Sequence, residues 1–172
     1  TQQLIKNLTD ENDVTIVRKF NEILSALNLE RNYSKDEIIE AYMNTIYLSE
    51  GCYGVKTAAE TYFGKDVADL NIAECASLAA ITQYPSRYDP LRNPDKNRTR
   101  QMWILKEMLS QGFITQEEYD DAVAYEMVFT NSENYQGSQI SDSESGSNEN
   151  RIDSYYVDYV IKAVLDDLQK MG

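Results

Sequence analysis

Helix-start signals are the feature that most constrains how this chain can fold. Serine, asparagine or threonine with glutamate three residues later forms a capping box, which satisfies free N–H groups at the start of a helix. The pattern occurs at Ser34–Glu37, Asn71–Glu74 and Thr115–Glu118, each time before apolar residues at helical spacing. Only seven glycines and three prolines interrupt the 172 residues. These signals predict an all-α fold and argue against a turn-rich β fold.

Apolar spacing places the predicted helices. Residues 14–32 carry apolar side chains three and four positions apart, as do the residues that follow Ser34. Further helices are predicted over 56–63, 72–81, 94–111 and 115–125, with a possible short extended piece at Glu126–Phe129. The helix after Ser34 is expected to bury Ile38, Ile39, Tyr42, Met43 and Ile46.

The composition changes after residue 130. Residues 131–152 are rich in Ser, Asn, Gly and acids, and such a segment buries too little apolar surface to offset its ordering entropy. We expect a flexible linker or loop there. Apolar residues at helical spacing return in 153–172, which predicts a terminal helix. The expected division is therefore a domain over 1–130, a linker over 131–152 and a terminal helix over 153–172.

Charge and composition exclude several functions. The formal net charge of −13 disfavours nucleic-acid binding, although residues 1–35 carry five basic and five acidic side chains and would tolerate an anion. The chain has no histidine, which excludes Ser-His-Asp catalysis and His-ligated metal sites. Acid–base work would fall to carboxylates, Lys or Tyr. Cys52 and Cys75 are either two small buried side chains or a disulfide.

The stretch "RKFNE" places Arg18 and Lys19 one helical turn before Glu22. Two interpretations are open for this group. It is either a solvated salt bridge on a helix surface or half of a site for a charged substrate. Taken alone, the stretch favours the salt bridge, because most such pairs are solvated helix faces.

Four stretches together resemble a known family. They are "TQQLIKN", "RKFNEILSALNLE", "SKDEIIEAYMNTIYLSEGCYGVKTAAETYFGK" and "LNIAECASLAAITQYPSRYDP", in family order between Thr1 and Pro90. The match is to the peptidoglycan glycosyltransferase domain of class A penicillin-binding proteins, glycosyltransferase family 51. The resemblance implies a lysozyme-like helical domain that lacks its first helix and motif. The terminal "SYYVDYVIKAVLDDL" resembles the connector to a transpeptidase domain, and no S-x-x-K motif of such a domain occurs in the chain.

The resemblance also implies a reaction and a set of site residues. The family polymerises lipid II with inversion at the donor sugar and releases undecaprenyl diphosphate. Glu22 matches a catalytic acid that assists the leaving group or holds its cations, and Mg²⁺ or Mn²⁺ at Glu22 is implied by the family alone. The matching substrate-binding positions are Gln2, Gln3, Lys6, Arg18, Lys19, Asn44 and Tyr47, and for Asn44 and Tyr47 a role in helix packing is an equally open interpretation. Structural roles are expected for Gly51, Tyr53, Gly54, Glu74, Pro85 and Tyr88.

Two departures from the family pattern affect what is expected. The family's first motif, which supplies the principal catalytic acid, does not occur in these 172 residues, so we expect that they cannot polymerise lipid II alone. Many members also carry an arginine where this chain has Val14. The acidic stretch Asp10–Val14 is not followed by the glycine that a calcium loop requires, so a solvated turn is expected there.

The resemblance places the parent protein at the extracytoplasmic face of a bacterial membrane, held by an N-terminal anchor. Expected partners are lipid II, the growing glycan strand, cell-wall synthesis proteins and a second copy of the chain. An alternative is a non-catalytic helical scaffold of the same machinery. A lysozyme-like hydrolase is a third hypothesis, and it ranks last because two cations beside one acid suit a diphosphate better than a neutral glycosidic bond.

Overall fold

A computed structural model describes residues 1–9 and 15–137 of the chain. The described residues form eight α-helices and one 3-10 helix, and within them the β structure is limited to an isolated antiparallel bridge between Tyr47 and Tyr53. The prediction of an all-α fold is confirmed. The elements are α1 (Gln2–Thr9), α2 (Ile16–Asn32), α3 (Lys35–Thr45), α4 (Val55–Phe63), the 3-10 helix (Val67–Asp69), α5 (Ile72–Ile81), α6 (Pro85–Tyr88), α7 (Pro94–Ser110) and α8 (Gln116–Ala124).

Some predictions fall outside the described residues. These are the turn at 10–14, the linker beyond residue 137 and the terminal helix over 153–172. The division of the chain at residues 130 and 152 therefore stays a prediction. At Glu126–Phe129, where a short extended piece was possible, the backbone is irregular and forms no ladder.

The three capping boxes form as the sequence predicts. Ser34, Asn71 and Thr115 each accept a hydrogen bond from the backbone N–H three residues on, and the glutamate at that position bonds back to the cap. Thr15 caps α2 in a simpler way, by accepting from the backbone N–H of Arg18. Each such cap stabilises its helix by about 1 kcal/mol. The helix starts are thus fixed by side chains next to them in sequence.

The described residues fall into two compact units, 1–46 and 47–137. In the first unit α1 packs on both α2 and α3. Its core contains small and branched apolar side chains from all three helices, with Leu8, Tyr33 and Tyr42 packed against them. The buried members are Leu4, Ile5, Ala26, Leu29, Ile38 and Ala41.

The apolar stripe of α2 does not supply that core. The buried face of α2 instead consists of Glu22, Ser25, Ala26 and Leu29. Here α1 packs on the α2 face that contains Glu22, and the apolar stripe is left on another face of the helix. The exposed stripe contains Ile16, Val17, Phe20, Ile23, Leu24 and Leu27.

The predicted burial of α3 is correct in part. Ile38 and Ile46 are buried and Tyr42 is partly buried, whereas Ile39 and Met43 are more than 40% exposed, so the prediction for those two residues was wrong. The physical reason is the narrow contact face: α3 meets its neighbours through Ile38 and Ala41, and Ile39 and Met43 lie outside that line.

In the second unit α5 packs closely on α7, and both contact α8. Alanines on α5, including Ala73 and Ala76, allow this close approach around the buried Leu105 of α7. Glu74 is buried beside Lys65, whose Nζ lies 2.7 Å from Oε1, and it also completes the capping box of α5. These contacts match the structural role expected for Glu74.

The two cysteines differ in environment. Cys52 is buried and Cys75 is exposed, and both are free thiols. The interpretation of both as buried side chains is therefore wrong for Cys75, and the alternative disulfide is not formed. Among the helices that the structure describes, none combines the length and apolar character needed to cross a membrane.

Candidate substrate-binding site

The first two turns of α2 build the candidate site in the first unit. Thr15 fixes the start of the helix, which places Arg18, Lys19 and Glu22 at spacings of three and four residues. The Nη1 of Arg18 lies 3.4 Å from Oε2 of Glu22, and the Nζ of Lys19 lies 2.5 Å from Oε1. Each carboxylate oxygen of Glu22 thus has its own cation.

Lys19 also links this group to α1. Its Nζ donates to Oε1 of Gln2 at a distance of 2.8 Å, across 17 positions of sequence. We refer to Gln2, Arg18, Lys19 and Glu22 as the cation–acid cluster. The sequence predicted all four as site residues, and the structure brings all four together.

Two other predicted residues lie near the cluster on α1 without joining it. Lys6 is exposed one turn after Gln2, and the amide of Gln3 donates to Oδ1 of Asn7 at 3.0 Å. Among the described residues, no side-chain hydrogen bond or ion pair joins Lys6 or Gln3 to the cluster. Gln2 and Lys6 are four positions apart, so they occupy the same face of α1.

The remaining two predicted residues lie further along the chain. Asn44 is exposed in the last turn of α3, within the first unit. Tyr47 opens the second unit, where its ring lies against that of Tyr53. The contacts within the cation–acid cluster therefore involve neither of these two residues.

Glu22 and Lys19 differ in their exposure to solvent. Glu22 is 8% exposed, whereas the Lys19 side chain is 52% exposed. A carboxylate removed from water needs opposite charge or hydrogen-bond donors, and the two cations supply both. An ammonium carries three N–H donors, and Lys19 uses one on Gln2 and one on Glu22, so one remains for a ligand.

Arg18 has spare donor capacity as well. Its Nε is buried and has no hydrogen-bond partner among the described residues. Two cations and one acid leave the cluster with a net positive charge in a chain whose formal net charge is −13. An anionic group would therefore be attracted to this point of the surface.

A cavity of about 390 Å³ lies beside Gln2. Of the residues that line it, only Gln2 and Gln3 were predicted from the sequence as site residues. The signal that could have found it is the four-residue spacing of Glu22, Ala26 and Glu30, which puts all three on one face of α2. The hydroxyl of Thr1 donates to Oε1 of Glu30 there. The lining residues are Thr1, Gln2, Gln3, Ile23, Ala26, Leu27 and Glu30.

The described side chains do not fit a divalent cation at Glu22. Mg²⁺ and Mn²⁺ prefer carboxylate and other oxygen ligands, and both oxygens of Glu22 already accept from cationic nitrogens. No group of three metal-ligating side chains occurs within residues 1–9 and 15–137. These side chains therefore hold no site through which a metal ion would take part in the reaction.

Known proteins match the part of the chain that contains these residues. A family model described as "Transglycosylase" matches residues 1–109. Penicillin-binding protein 1A of Pseudomonas aeruginosa is 48% identical over 123 residues, which cover 72% of this chain and 15% of that protein. Penicillin-binding protein 1F of Bacillus subtilis is 48% identical over 118 residues, covering 69% of this chain and 16% of that protein.

A solved structure is also similar. The crystal structure of Penicillin-Binding Protein 1A from Haemophilus influenzae aligns with a TM-score of 0.55 and 37% identity, covering 62% of this chain and 16% of that one. The chain thus spans about a sixth of the length of the relatives that it matches.

Proposed function

Because the chain belongs to the transglycosylase family over residues 1–109, we propose that its parent protein polymerises lipid II into glycan strands and releases undecaprenyl diphosphate. In this reaction an acceptor hydroxyl oxygen forms a bond to the anomeric carbon of the donor sugar. The bond from that carbon to the diphosphate breaks, and the diphosphate keeps the electron pair. The hydroxyl proton passes to a base. Two developing negative charges must therefore be stabilised or neutralised, one on the acceptor oxygen and one on the departing diphosphate.

The cation–acid cluster supports the leaving-group half of this chemistry. Lys19 is half exposed and has an unused N–H donor, and the largely buried Arg18 adds a second positive charge beside it. Charge that builds on a phosphate oxygen in the transition state is stabilised by donors already held in place. The single observation that carries the proposal is the Lys19 ammonium fixed between Gln2 and Glu22.

Glu22 acts in this proposal by holding the two cations. Each of its oxygens accepts from a different basic side chain, and its burial keeps those contacts away from competing water. Without the carboxylate, Arg18 and Lys19 would repel each other and spread into solvent. The catalytic role predicted for Glu22 is then a positioning role toward Arg18 and Lys19, and Gln2 supports the same ammonium.

The proposal is tested by the binding of fluorescently labelled lipid II in detergent to the full 172-residue chain. Lys19→Ala and Arg18→Ala are each expected to weaken binding by about tenfold, the size of a lost charge-assisted hydrogen bond. Glu22→Gln is expected to weaken binding as well, because it releases both cations. Arg31→Ala is the matched control, since Arg31 is an exposed cation on the same helix.

Equal affinity in wild type and all three cluster variants would contradict the proposal and favour the non-catalytic scaffold. A phosphoglycolipid inhibitor of the moenomycin type provides a second ligand of similar charge. Lys6→Ala tests whether the exposed lysine one turn from Gln2 also contributes.

We infer that residues 1–172 alone do not form glycan, because the cation–acid cluster contains a single acid, Glu22, and both of its oxygens already accept from cations. Glycan chains formed by the purified 172-residue chain would overturn this inference. The proposed setting of the parent protein is the extracytoplasmic face of the cell membrane, in contact with cell-wall synthesis proteins. That setting, its membrane anchor and its self-association rest on the family.

A further inference from the structure

A strained loop opens the second unit. Ser49, Glu50 and Gly51 all have positive φ, at 66°, 46° and 75°. The left-handed region is free of penalty for glycine, but it costs about 1 kcal/mol or more for each residue with a side chain. Two successive non-glycine residues in this region persist only where the surroundings hold them.

Three contacts within the unit hold the loop. The hydroxyl of Ser49 donates to Oδ2 of Asp89 at 2.9 Å, and Asp89 is fully buried. The Nε of Arg92 lies 2.5 Å from Oε1 of Glu50. The phenol of the buried Tyr62 donates to the carbonyl of Leu48 at 2.7 Å. Three successive residues, 48–50, are thus each tied to a different side chain of the unit.

The held backbone presents two aromatic rings to solvent. Tyr47 and Tyr53 are opposite each other across an antiparallel bridge, while their neighbours Leu48 and Cys52 are buried on the other side. The ring centroids are 5.1 Å apart and the planes are tilted by 46°. Tyr47 is 43% and Tyr53 65% exposed, so the core gains little from either ring.

We propose that the Tyr47–Tyr53 pair is a stacking site for a sugar ring of the glycan strand, an inference that rests on the proposed function. A pyranose has an apolar C–H face that packs on an aromatic ring, and hydroxyls at its edge that bond to phenols. Two tyrosines fixed by the backbone lose little conformational freedom when they bind, which favours recognition of a weakly interacting ligand.

The charges around the pair favour a neutral ligand. Arg92 is already paired with Glu50, and Asp89 lies 3.8 Å from the same guanidinium, so two acids face one cation. A phosphate or an anionic membrane surface would be repelled by this balance, whereas sugar hydroxyls can donate to a carboxylate such as Glu50. The pair therefore differs in character from the cation–acid cluster.

The test uses chitotetraose, a β-1,4-linked oligomer of N-acetylglucosamine. Its binding to the full chain is measured by NMR titration. Tyr53→Ala and Tyr47→Ala are each expected to weaken binding by about fivefold, in the range measured for lost aromatic contacts. Tyr53→Phe keeps the stacking ring and is expected to stay within about twofold of wild type. Tyr84→Ala is the control, because Tyr84 is a similarly exposed tyrosine of the same unit.

Unchanged chitotetraose affinity in both alanine variants would overturn the proposal. So would reduced binding to phosphatidylglycerol vesicles with chitotetraose affinity intact, since the rings would then contact a membrane. Lys19→Ala separates this proposal from the proposed function, because it should weaken lipid II binding and leave chitotetraose binding unchanged. If Lys19→Ala weakens lipid II binding while the tyrosine variants bind chitotetraose like wild type, the sugar site is overturned and the proposed function stands.

Discussion

Three buried carboxylates show how single residues adapt to their surroundings. Glu22 and Glu74 are each paired with basic side chains, Glu22 with Arg18 and Lys19 and Glu74 with Lys65. Asp89 accepts from the Ser49 hydroxyl and from two backbone N–H groups that follow it, and the Arg92 guanidinium lies 3.8 Å away. Burial raises the pKa of Asp89, while the Arg92 guanidinium lowers the pKa of the exposed Glu50 beside it.

The raised pKa of Asp89 predicts a pH-dependent effect of Asp89→Asn. The folded chain keeps the Asp89 proton to higher pH than the unfolded chain does, so the wild type loses stability as pH rises from 3.8, the ordinary value, through the raised folded pKa. The asparagine variant lacks this titration. The difference in unfolding free energy, wild type minus variant, should therefore fall across that window in urea titrations at several pH values.

The same series in a Glu50→Gln background removes the neighbouring carboxyl, and the fall should remain. A difference that rises with pH in both backgrounds would contradict the assignment to Asp89.

At the scale of elements, the helix starts were predictable and the buried faces were not. A capping box involves four consecutive residues, so Ser34 and Glu37 specify the start of α3 without help from the rest of the fold. Which stripe of α2 is buried depends on where α1 packs, and that contact joins residues far apart in sequence. Apolar spacing alone therefore could not show that Glu22 lies on the covered face and Phe20 on the exposed one.

The cap at Ser34 gives a prediction for α3. Ser34→Ala removes the acceptor for the backbone N–H of Glu37 and should lower the unfolding free energy by about 1 kcal/mol. Lys35→Ala, at the next position, is the control and should change it by less than about 0.5 kcal/mol. Urea denaturation of both variants followed by circular dichroism makes the comparison. Equal stability of Ser34→Ala and wild type would show that α3 does not depend on this cap.

The candidate site was predictable to a similar extent. Arg18, Lys19 and Glu22 belong to one helix, so their juxtaposition follows from spacing, and the family resemblance supplied Gln2. The cavity wall at Glu30 was not predicted, because its position depends on how α1 meets α2. Asn44 and Tyr47 remain predictions from the family motif.

At the scale of the whole molecule, charge is distributed unevenly. The formal net charge is −13, yet the cation–acid cluster has two basic side chains for one acid. An anionic ligand is repelled by the molecule at long range and attracted by the cluster at short range. Salt screens the long-range part within about 10 Å at 0.1 M, while contacts at a partly buried site are screened less.

This balance predicts a weak salt dependence for lipid II binding to the full chain. Raising NaCl from 50 to 500 mM should change the affinity of the wild type by less than about threefold, because the loss of attraction is offset by the loss of repulsion. In the Lys19→Ala variant, where attraction is reduced, added salt should strengthen binding. Fluorescence titrations at a series of salt concentrations make the comparison. A wild-type affinity that falls steeply with salt would contradict this picture.

The hydrogen bonds of the Asn97 side chain restrict which residues can occupy its position in the second unit. Its amide nitrogen donates to the carbonyls of Ser77 and Tyr88, at 3.1 and 2.7 Å, and its Oδ1 accepts from the Ser77 hydroxyl at 2.7 Å. Aspartate has nearly the same shape, but it would set a carboxylate oxygen against two carbonyl oxygens. Leucine would remove the donor that both carbonyls share and the acceptor of the Ser77 hydroxyl. The helices α5, α6 and α7 therefore meet at a position where a side chain of the same size cannot replace asparagine unless it also makes the same hydrogen bonds.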